Sequence, residues 1–215
     1  MLGLFDSGTG GLNTVRYLKN AGHDRDLIYL IDRNNAPYGI KSEKELVEIT
    51  KNNIKTLTGM GAVRVLIACC TASTVHSLLP CEQKIVSIPI INAVANEAEN
   101  QSKNGRIGVI ATEHTVSTHS FKNALTNCFV KELALSRLVT MIDGGLSDDT
   151  ATKKDEEILE DMLLPVLTAD IDTLILGCTH FPALAKTVGK IADKYGCIEL
   201  IDSAKIGADI LKQEM

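Results

Sequence analysis

Seven short runs of apolar residues recur along the chain, and longer helical patterns separate them. The runs span Leu2–Phe5, Leu27–Ile31, Val63–Ala68, Ile85–Ile91, Ile107–Ala111, Thr173–Leu176 and Ile198–Ile201. Several are apolar at every position, which is typical of strands in a parallel sheet that is covered on both faces. The alternation of strand and helix therefore predicts an α/β fold built on parallel sheets.

Two of the intervening segments carry clear helix patterns. Ser42 and Glu45 form an S-x-x-E capping box, after which Leu46, Ile49 and Leu57 fall near one face. An apolar stripe indicates a second amphipathic helix, and its residues are Ile158, Leu159, Met162, Leu163, Val166 and Leu167.

The composition limits the function classes open to the chain. Of its 215 residues 45% are hydrophobic and 23% are charged, which suits one large or two small folded domains. The formal net charge is -5 and the basic residues are not clustered, so no nucleic-acid surface is expected. No apolar run approaches the length of a membrane span, and the segment MLGLFDSG lacks the features of a secretory signal. We therefore expect a cytoplasmic protein with neither a nucleic-acid nor a membrane partner.

One pattern occurs in each half of the chain. VLIAC, ending at Cys69, and LILGC, ending at Cys178, both place a cysteine after an aliphatic run and a small residue. Two α/β units facing each other would bring these strand ends to a common cleft, where ligands bind in open α/β sheets. We predict a first domain over residues 1–92 and a second over 93–203, with a C-terminal helix over 204–215 that returns to the first.

A cysteine at the mouth of each of two strands suggests a symmetric task. The N-terminus of a following helix can lower the pKa of a thiol, so we expect thiolate at neutral pH. Two such groups on opposite sides of a substrate could remove a proton from one face and deliver one to the other, which is racemisation or epimerisation. From spacing alone, a pair of buried and inert cysteines is an equal alternative. Cys128 and Cys197 lie beside apolar residues and are expected to be small core residues.

Polar residues beside these strands add candidates. In FDSGTGGL, Asp6 follows the first strand and three glycines precede a helix, so the segment either holds an anionic group on backbone amides or is a turn with a helix cap. Asp6 could accept from an ammonium or steer a thiol. His180 lies two residues after Cys178 and either approaches a proton donor or faces solvent. Cys69, Cys70, Cys178 and His180 match zinc spacings poorly, so no metal is expected.

Taken together, these segments resemble the glutamate racemases of the aspartate/glutamate racemase superfamily. Six motifs carry the resemblance in the family's order: FDSGTGGL, APYG followed by Lys41-Ser42, IACCTAS, RIGVIAT with Thr115 and Ser117, LILGCTHFP, and LIDSA. The resemblance implies two flavodoxin-like parallel-sheet domains related by pseudo-two-fold symmetry, with the active site in the cleft between them. It also implies a cofactor-independent, two-base mechanism in which one thiolate takes the α-proton of glutamate and the opposite thiol returns one. In a bacterium, the D-glutamate would supply peptidoglycan synthesis for the cell wall.

The resemblance also implies a role for each matching residue. Cys69 and Cys178 would be the two bases, and Asp6 and His180 would assist proton transfer at Cys69 and Cys178 respectively. The positions expected to bind the substrate are Ser7, Pro37, Tyr38, Gly39, Cys70, Thr71, Thr115 and Thr179. The expected partner is a small-molecule amino acid, with no cofactor and no metal, and a homodimer is left open.

Two residues depart from the family's pattern. Cys70 stands where the family has an asparagine that contacts polar groups of the substrate, and a thiol is a weak hydrogen-bond partner. Asp143, in the segment ALSRLVTMID, falls where the family has a glutamate, which is one methylene longer. Three alternatives therefore stay open: a racemase for aspartate or another amino acid, a non-catalytic amino-acid-binding relative, and a thiol redox or metal-binding protein that uses Cys69 and Cys70.

Overall fold

The computed structural model describes residues 1–23 and 27–214, and it contains two four-stranded sheets in which every strand pair is parallel. The strands of the first sheet are β1 (Leu2–Asp6), β2 (Leu27–Ile31), β3 (Arg64–Ile67) and β4 (Ser87–Pro89). Those of the second are β5 (Arg106–Ala111), β6 (Phe129–Ala134), β7 (Thr173–Gly177) and β8 (Glu199–Asp202). The strand orders, β2-β1-β3-β4 and β6-β5-β7-β8, repeat one arrangement. The predicted α/β fold with two similar parallel-sheet units is confirmed.

Helices connect the strands and cover the sheets. In the first half they are α1 (Leu12–Asn20), α2 (Glu43–Gly59), α3 (Cys70–Ser73), α4 (Cys81–Val86) and α5 (Ile90–Gln101). In the second half they are α6 (Glu113–Ser117), α7 (Ser120–Ala124), α8 (Ser136–Asp143), α9 (Lys153–Leu167), α10 (Ala185–Ala192) and α11 (Ser203–Gln213). Within the described residues, none of these helices combines the length and the apolar character needed to cross a membrane.

Both predicted helix patterns are confirmed. The Ser42 hydroxyl accepts from the Glu45 amide at 3.3 Å, and the Glu45 carboxylate accepts from the Ser42 amide at 2.9 Å, so the capping box starts α2. The apolar stripe of α9 buries Leu159, Leu163 and Val166 completely. This burial holds α9 against the second sheet.

Two local predictions are wrong, and one strand lies outside the predicted set. The run Ile85–Ile91 is not one strand, because α4 continues to Val86, β4 covers only three residues and α5 begins at Ile90. The edge strand β6 was not predicted. Cys197 is exposed rather than a core residue, whereas Cys128 is half-buried and packs against the core cluster.

The strand order fixes where a ligand can bind. In the first sheet the chain passes from β1 outward to β2, and later from β3 outward to β4 on the other side. The connections after β1 and β3 lead in opposite directions, which leaves a crevice at the carboxyl ends of these two strands. By the same argument, a second crevice lies at the carboxyl ends of β5 and β7. Cys69 follows β3 and Cys178 follows β7, which are equivalent strands.

The two halves share a continuous core. One cluster of buried residues joins Leu4 and Leu66 of the first sheet to Val109 and Ile175 of the second. Helix α5, which contains the predicted boundary at residues 92–93, packs against β7 and β8 as well as α3. That boundary stays a prediction.

The last helix lies against the first half of the chain. Helix α11 packs most extensively on α1. At its beginning the Tyr17 hydroxyl donates to Asp202 at 2.7 Å, and at its end Arg64 pairs with Glu214 at 3.0 Å.

Candidate active site

A cavity of about 560 Å³ lies where the carboxyl ends of the two sheets face each other. This volume is within the range typical of small-molecule sites. The predicted site residues that line it are Ser7, Pro37, Tyr38, Gly39, Cys69, Cys70, Thr71, Cys178, Thr179 and His180. Two predicted residues, Asp6 and Thr115, lie behind the cavity wall and are completely buried.

The two thiols enter this cavity from opposite units. Cys69 is 5% exposed and Cys178 is 7% exposed. The Ser7 hydroxyl lies 3.7 Å from the Cys69 sulfur, and His180 Nδ1 lies 3.7 Å from the Cys178 sulfur. Each thiol therefore has a polar neighbour with which it can form a hydrogen bond or exchange a proton.

The prediction that helix N-termini lower the pKa of these thiols is wrong. Burial raises the pKa of the Cys69 thiol to about 12, and the charge of Asp6 acts in the same direction. Burial also raises the pKa of the Cys178 thiol. The backbone amide of Ala72, in the four-residue helix α3, lowers the pKa of Cys69. This effect is smaller than the rise in pKa that desolvation causes. Both groups are therefore thiols rather than thiolates at neutral pH in this arrangement.

His180 connects Cys178 to a carboxylate. Its Nε2 lies 3.3 Å from Asp143 Oδ1, at the end of α8. The His180 side chain is 9% exposed, whereas the Asp143 side chain is 55% exposed. Asp143 thus reaches the ring despite its short side chain, and its charge can stabilise an imidazolium that forms when His180 takes a proton.

Asp6 forms a hydrogen bond with Thr179 across the cleft rather than with a thiol. Its carboxylate accepts from the Gly11 amide at 2.8 Å and from the Thr179 hydroxyl at 3.1 Å. Burial raises the pKa of the Asp6 carboxyl, although His180 and these hydrogen bonds act in the opposite direction. No hydrogen bond joins Asp6 to Cys69 among the described contacts, so Asp6 acts on that thiol through its charge.

Three hydroxyl groups meet at the boundary of the two units. Thr112 Oγ1 lies 3.0 Å from Thr71 Oγ1 and 2.9 Å from Thr115 Oγ1. Thr112 lines the cavity, whereas Thr115 supports it from behind. Sequence reasoning selected Thr115 and missed Thr112. The signal was available, because Thr112 directly follows β5 in the way that Ser7 follows β1.

A buried polar network holds the Pro37–Gly39 segment. The Tyr38 hydroxyl donates to Asp32 at 2.7 Å and accepts from the Asn53 amide at 2.8 Å. Asn35 donates to both Asp32 oxygens at 2.9 Å. Asp32 is 8% exposed, so this network fixes a segment of cavity wall that has little other regular structure.

Cys70 lines the cavity but belongs to the core. It is 2% exposed and joins the buried cluster that contains Leu66, Ile90 and Ala111. Burial raises the pKa of its thiol, and the neighbouring Cys178 and Cys69 add to this effect. The thiol therefore offers the cavity a neutral and weakly polar surface.

Sequence reasoning missed several further lining residues. They are Gly8, Thr9, Arg33, Ala36, Ile40, Thr112, Glu113, Ser136, Val139, Thr140 and Gly177. Arg33 is exposed and brings a guanidinium to the cavity, where it can attract a carboxylate. Within residues 1–23 and 27–214, no three His, Cys, Asp or Glu side chains form a group that could hold a metal ion.

Comparison with known proteins places the chain in a family. A family model described as Asp/Glu/Hydantoin racemase matches residues 13–211. The chain belongs to the Asp/Glu/Hydantoin racemase family. Among its relatives, a glutamate racemase of Desulforudis audaxviator is 38% identical over 195 residues, which are 88% of this chain and 70% of the relative.

Solved structures of the same family agree with the fold. A glutamate racemase isoform from Bacillus anthracis is 29% identical with a TM-score of 0.86, covering 100% of this chain and 80% of its own. A glutamate racemase from Francisella tularensis, solved in complex with D-glutamate, is 28% identical with a TM-score of 0.85, covering 99% of this chain and 80% of its own. The resemblance to the glutamate racemases of this family is confirmed.

Proposed function

We propose that this protein interconverts L- and D-glutamate by proton transfer between two cysteines, without a cofactor. The observation that carries the proposal is the entry of Cys69 and Cys178 into one cavity from equivalent strands of two facing units. Thiols on opposite walls can reach opposite faces of one α-carbon. The names of the relatives, which are glutamate racemases, supply the substrate.

The cavity wall offers groups suited to an amino acid. The hydroxyls of Thr71 and Thr112 can donate to a carboxylate, and Arg33 can pair with one at the mouth. The carboxylates of Asp143 and Glu113 also face the cavity and favour an ammonium group. A substrate with a carboxylate at each end and an ammonium between them satisfies these groups.

Proton transfer begins at a thiol that must first lose its proton. Cys178 can pass its proton to His180 Nδ1, and Asp143 stabilises the resulting charge at Nε2. The Cys178 thiolate then takes the α-proton, and the Cys69 thiol delivers its own proton to the opposite face. This leaves a thiolate at Cys69, and the reverse reaction uses the two groups in exchanged roles.

Substrate binding supplies the charge that this step requires. Burial raises the pKa of both thiols, so little thiolate is present at neutral pH without substrate. A substrate ammonium inside the cavity favours a thiolate beside it, because opposite charges interact strongly where water is excluded. The same exclusion strengthens the hydroxyl contacts to a carboxylate whose charge grows as the α-carbon loses its proton.

A specific observation favours a second substrate. The neutral Cys70 thiol stands where the family places an asparagine, so a polar group of glutamate would lose a partner there. Aspartate differs from glutamate by one methylene in the position of its side-chain carboxylate, so its contacts with this wall differ. We keep aspartate as the second candidate.

The test is racemisation of four substrates under reducing conditions. L-glutamate, D-glutamate, L-aspartate and D-aspartate are incubated separately, and the change in the circular dichroism signal of each amino acid is followed. We expect inversion of both glutamates, loss of activity in Cys69→Ala and Cys178→Ala, and normal activity in Cys81→Ala, whose thiol is exposed on α4. Inversion of aspartate alone would show that aspartate, and not glutamate, is the substrate. If none of the four amino acids is inverted, the proposal is overturned.

We further propose that the protein is cytoplasmic and that its D-glutamate supplies peptidoglycan synthesis in a bacterium. This role follows from the activity and from the family resemblance. It predicts that loss of the protein, in a bacterium with no second source of D-glutamate, makes growth depend on added D-glutamate.

A further inference from the structure

The glycine-rich segment after β1 contacts the opposite unit at very short range. A Cβ added to Gly10 would lie 2.8 Å from the backbone carbonyl carbon of Thr179 and would also overlap its hydroxyl. A Cβ added to Gly8 would lie 3.4 Å from His180 Nε2. Real Cβ atoms essentially never approach other atoms to under 3.0 Å, so Gly10 occupies a position that admits no side chain without movement.

Hydrogen bonds fix this contact on either side of Gly10. The Asn13 amide donates to the Thr179 carbonyl at 2.9 Å, and the Thr179 hydroxyl donates to Asp6 at 3.1 Å. Arg16 donates to the Asn13 oxygen at 3.3 Å, which turns the amide NH₂ toward Thr179. Asp6 and Thr179 are 0% and 3% exposed, so the contact excludes water.

We propose that the segment Gly8–Asn13 is the docking surface on which the second unit closes, and that Gly10 and Asn13 are positioning residues for catalysis. Gly10 thus serves a close approach of two backbones. Thr179 lies between Cys178 and His180, so its docking sets where both groups stand relative to Cys69. The catalytic part of this proposal rests on the proposed racemase function, whereas the docking itself does not.

The test of docking is the reactivity of buried Cys178 toward iodoacetamide, measured by peptide mass spectrometry. In Gly10→Ala we expect alkylation of Cys178 to become about tenfold faster, because the added methyl group displaces the Thr179 loop. Cys81 and Cys197 are exposed and serve as internal references whose rates stay constant. The matched control is Gly59→Ala, since a Cβ there meets nothing within 4 Å.

A second variant keeps the test valid if Gly10→Ala does not fold. Asn13→Ala removes the hydrogen bond to Thr179 and the exposed one from Arg16, while improving helix propensity in α1, and we expect about threefold faster alkylation of Cys178. Unchanged Cys178 reactivity in both folded variants would overturn the docking proposal.

Steady-state kinetics then tests the positioning role. We expect kcat/KM for the racemised amino acid to fall about tenfold in Gly10→Ala and about threefold in Asn13→Ala, which are the factors by which alkylation becomes faster. In Gly59→Ala we expect kcat/KM to be unchanged. Faster alkylation with unaltered kcat/KM would overturn the positioning role alone. Faster alkylation in a protein that racemises none of the four substrates would sustain the docking surface and refute the racemase function.

Discussion

The Tyr38 hydroxyl anchors the polar network beneath the cavity wall, and its removal has a calculable consequence. Tyr38→Phe keeps the buried ring, which is 2% exposed, and deletes only the donor to Asp32 and the acceptor for Asn53. A hydrogen bond to a charged group contributes about 1.5–3 kcal/mol. Since Asp32 is 8% exposed, water replaces the hydroxyl poorly, and we expect the free energy of unfolding to fall by about 2 kcal/mol.

The assay is equilibrium unfolding in urea at pH 7. The midpoint should fall while the slope with denaturant stays constant, because the surface exposed on unfolding does not change. The matched control is Tyr17→Phe, whose hydroxyl also donates to an aspartate at 2.7 Å but whose residue is 38% exposed. There we expect a loss below about 1 kcal/mol. Equal losses in the two variants would refute the argument from burial.

The same network makes a prediction about pH. Burial acts to raise the pKa of Asp32, but hydrogen bonds from Tyr38, Asn35 and Asn53 outweigh it and hold that pKa below its usual range. A carboxyl with a lowered native pKa stabilises the fold above its unfolded pKa of about 4, and this stability is lost as the pH falls through the native pKa. The stability difference between wild type and Tyr38→Phe should therefore narrow below about pH 4. A difference that is constant from pH 7 to pH 3 would contradict this linkage.

Three further predictions concern the cavity. Cys70→Asn restores an amide to the wall and should raise kcat/KM for glutamate by about 5- to 100-fold, so an unchanged value would exclude a substrate contact at this position. Thr112→Val removes a lining hydroxyl and should raise KM about tenfold, whereas the exposed Thr168→Val should not; steady-state kinetics decides between a binding and a purely structural hydroxyl. Because burial raises the pKa of Cys178, its alkylation rate should climb about tenfold per pH unit from pH 7 to pH 9, and a plateau below pH 8 would show a lowered thiol pKa.

The sheets could be predicted from sequence because their central strands are apolar on both faces. β6 escaped detection since it is an edge strand, where Lys131 and Glu132 are tolerated at half-buried positions. The run Ile85–Ile91 has the apolar pattern of a strand but is not a single strand. It joins the end of one helix, a three-residue strand and the start of another helix, and Ile85 is 71% exposed.

Much of the candidate site could also be predicted, because its residues follow strands that end at the same edge. The thiol pKa could not, since desolvation depends on how deeply the closed units bury Cys69 and Cys178. Nor could the Gly10 contact with Thr179, because it joins residues that are distant in sequence and depends on how the two units meet.

Deuterium incorporation at low conversion tests two-base transfer most directly. L-glutamate is incubated with the protein in D₂O, and the α-position of the D-glutamate product and of the remaining L-glutamate is examined by NMR and mass spectrometry. If Cys69 and Cys178 act on opposite faces, the first D-glutamate formed carries deuterium, while the remaining L-glutamate keeps its proton. Product that retains the substrate's own proton would show that a single base carries it across, and would contradict the proposed roles of the two thiols.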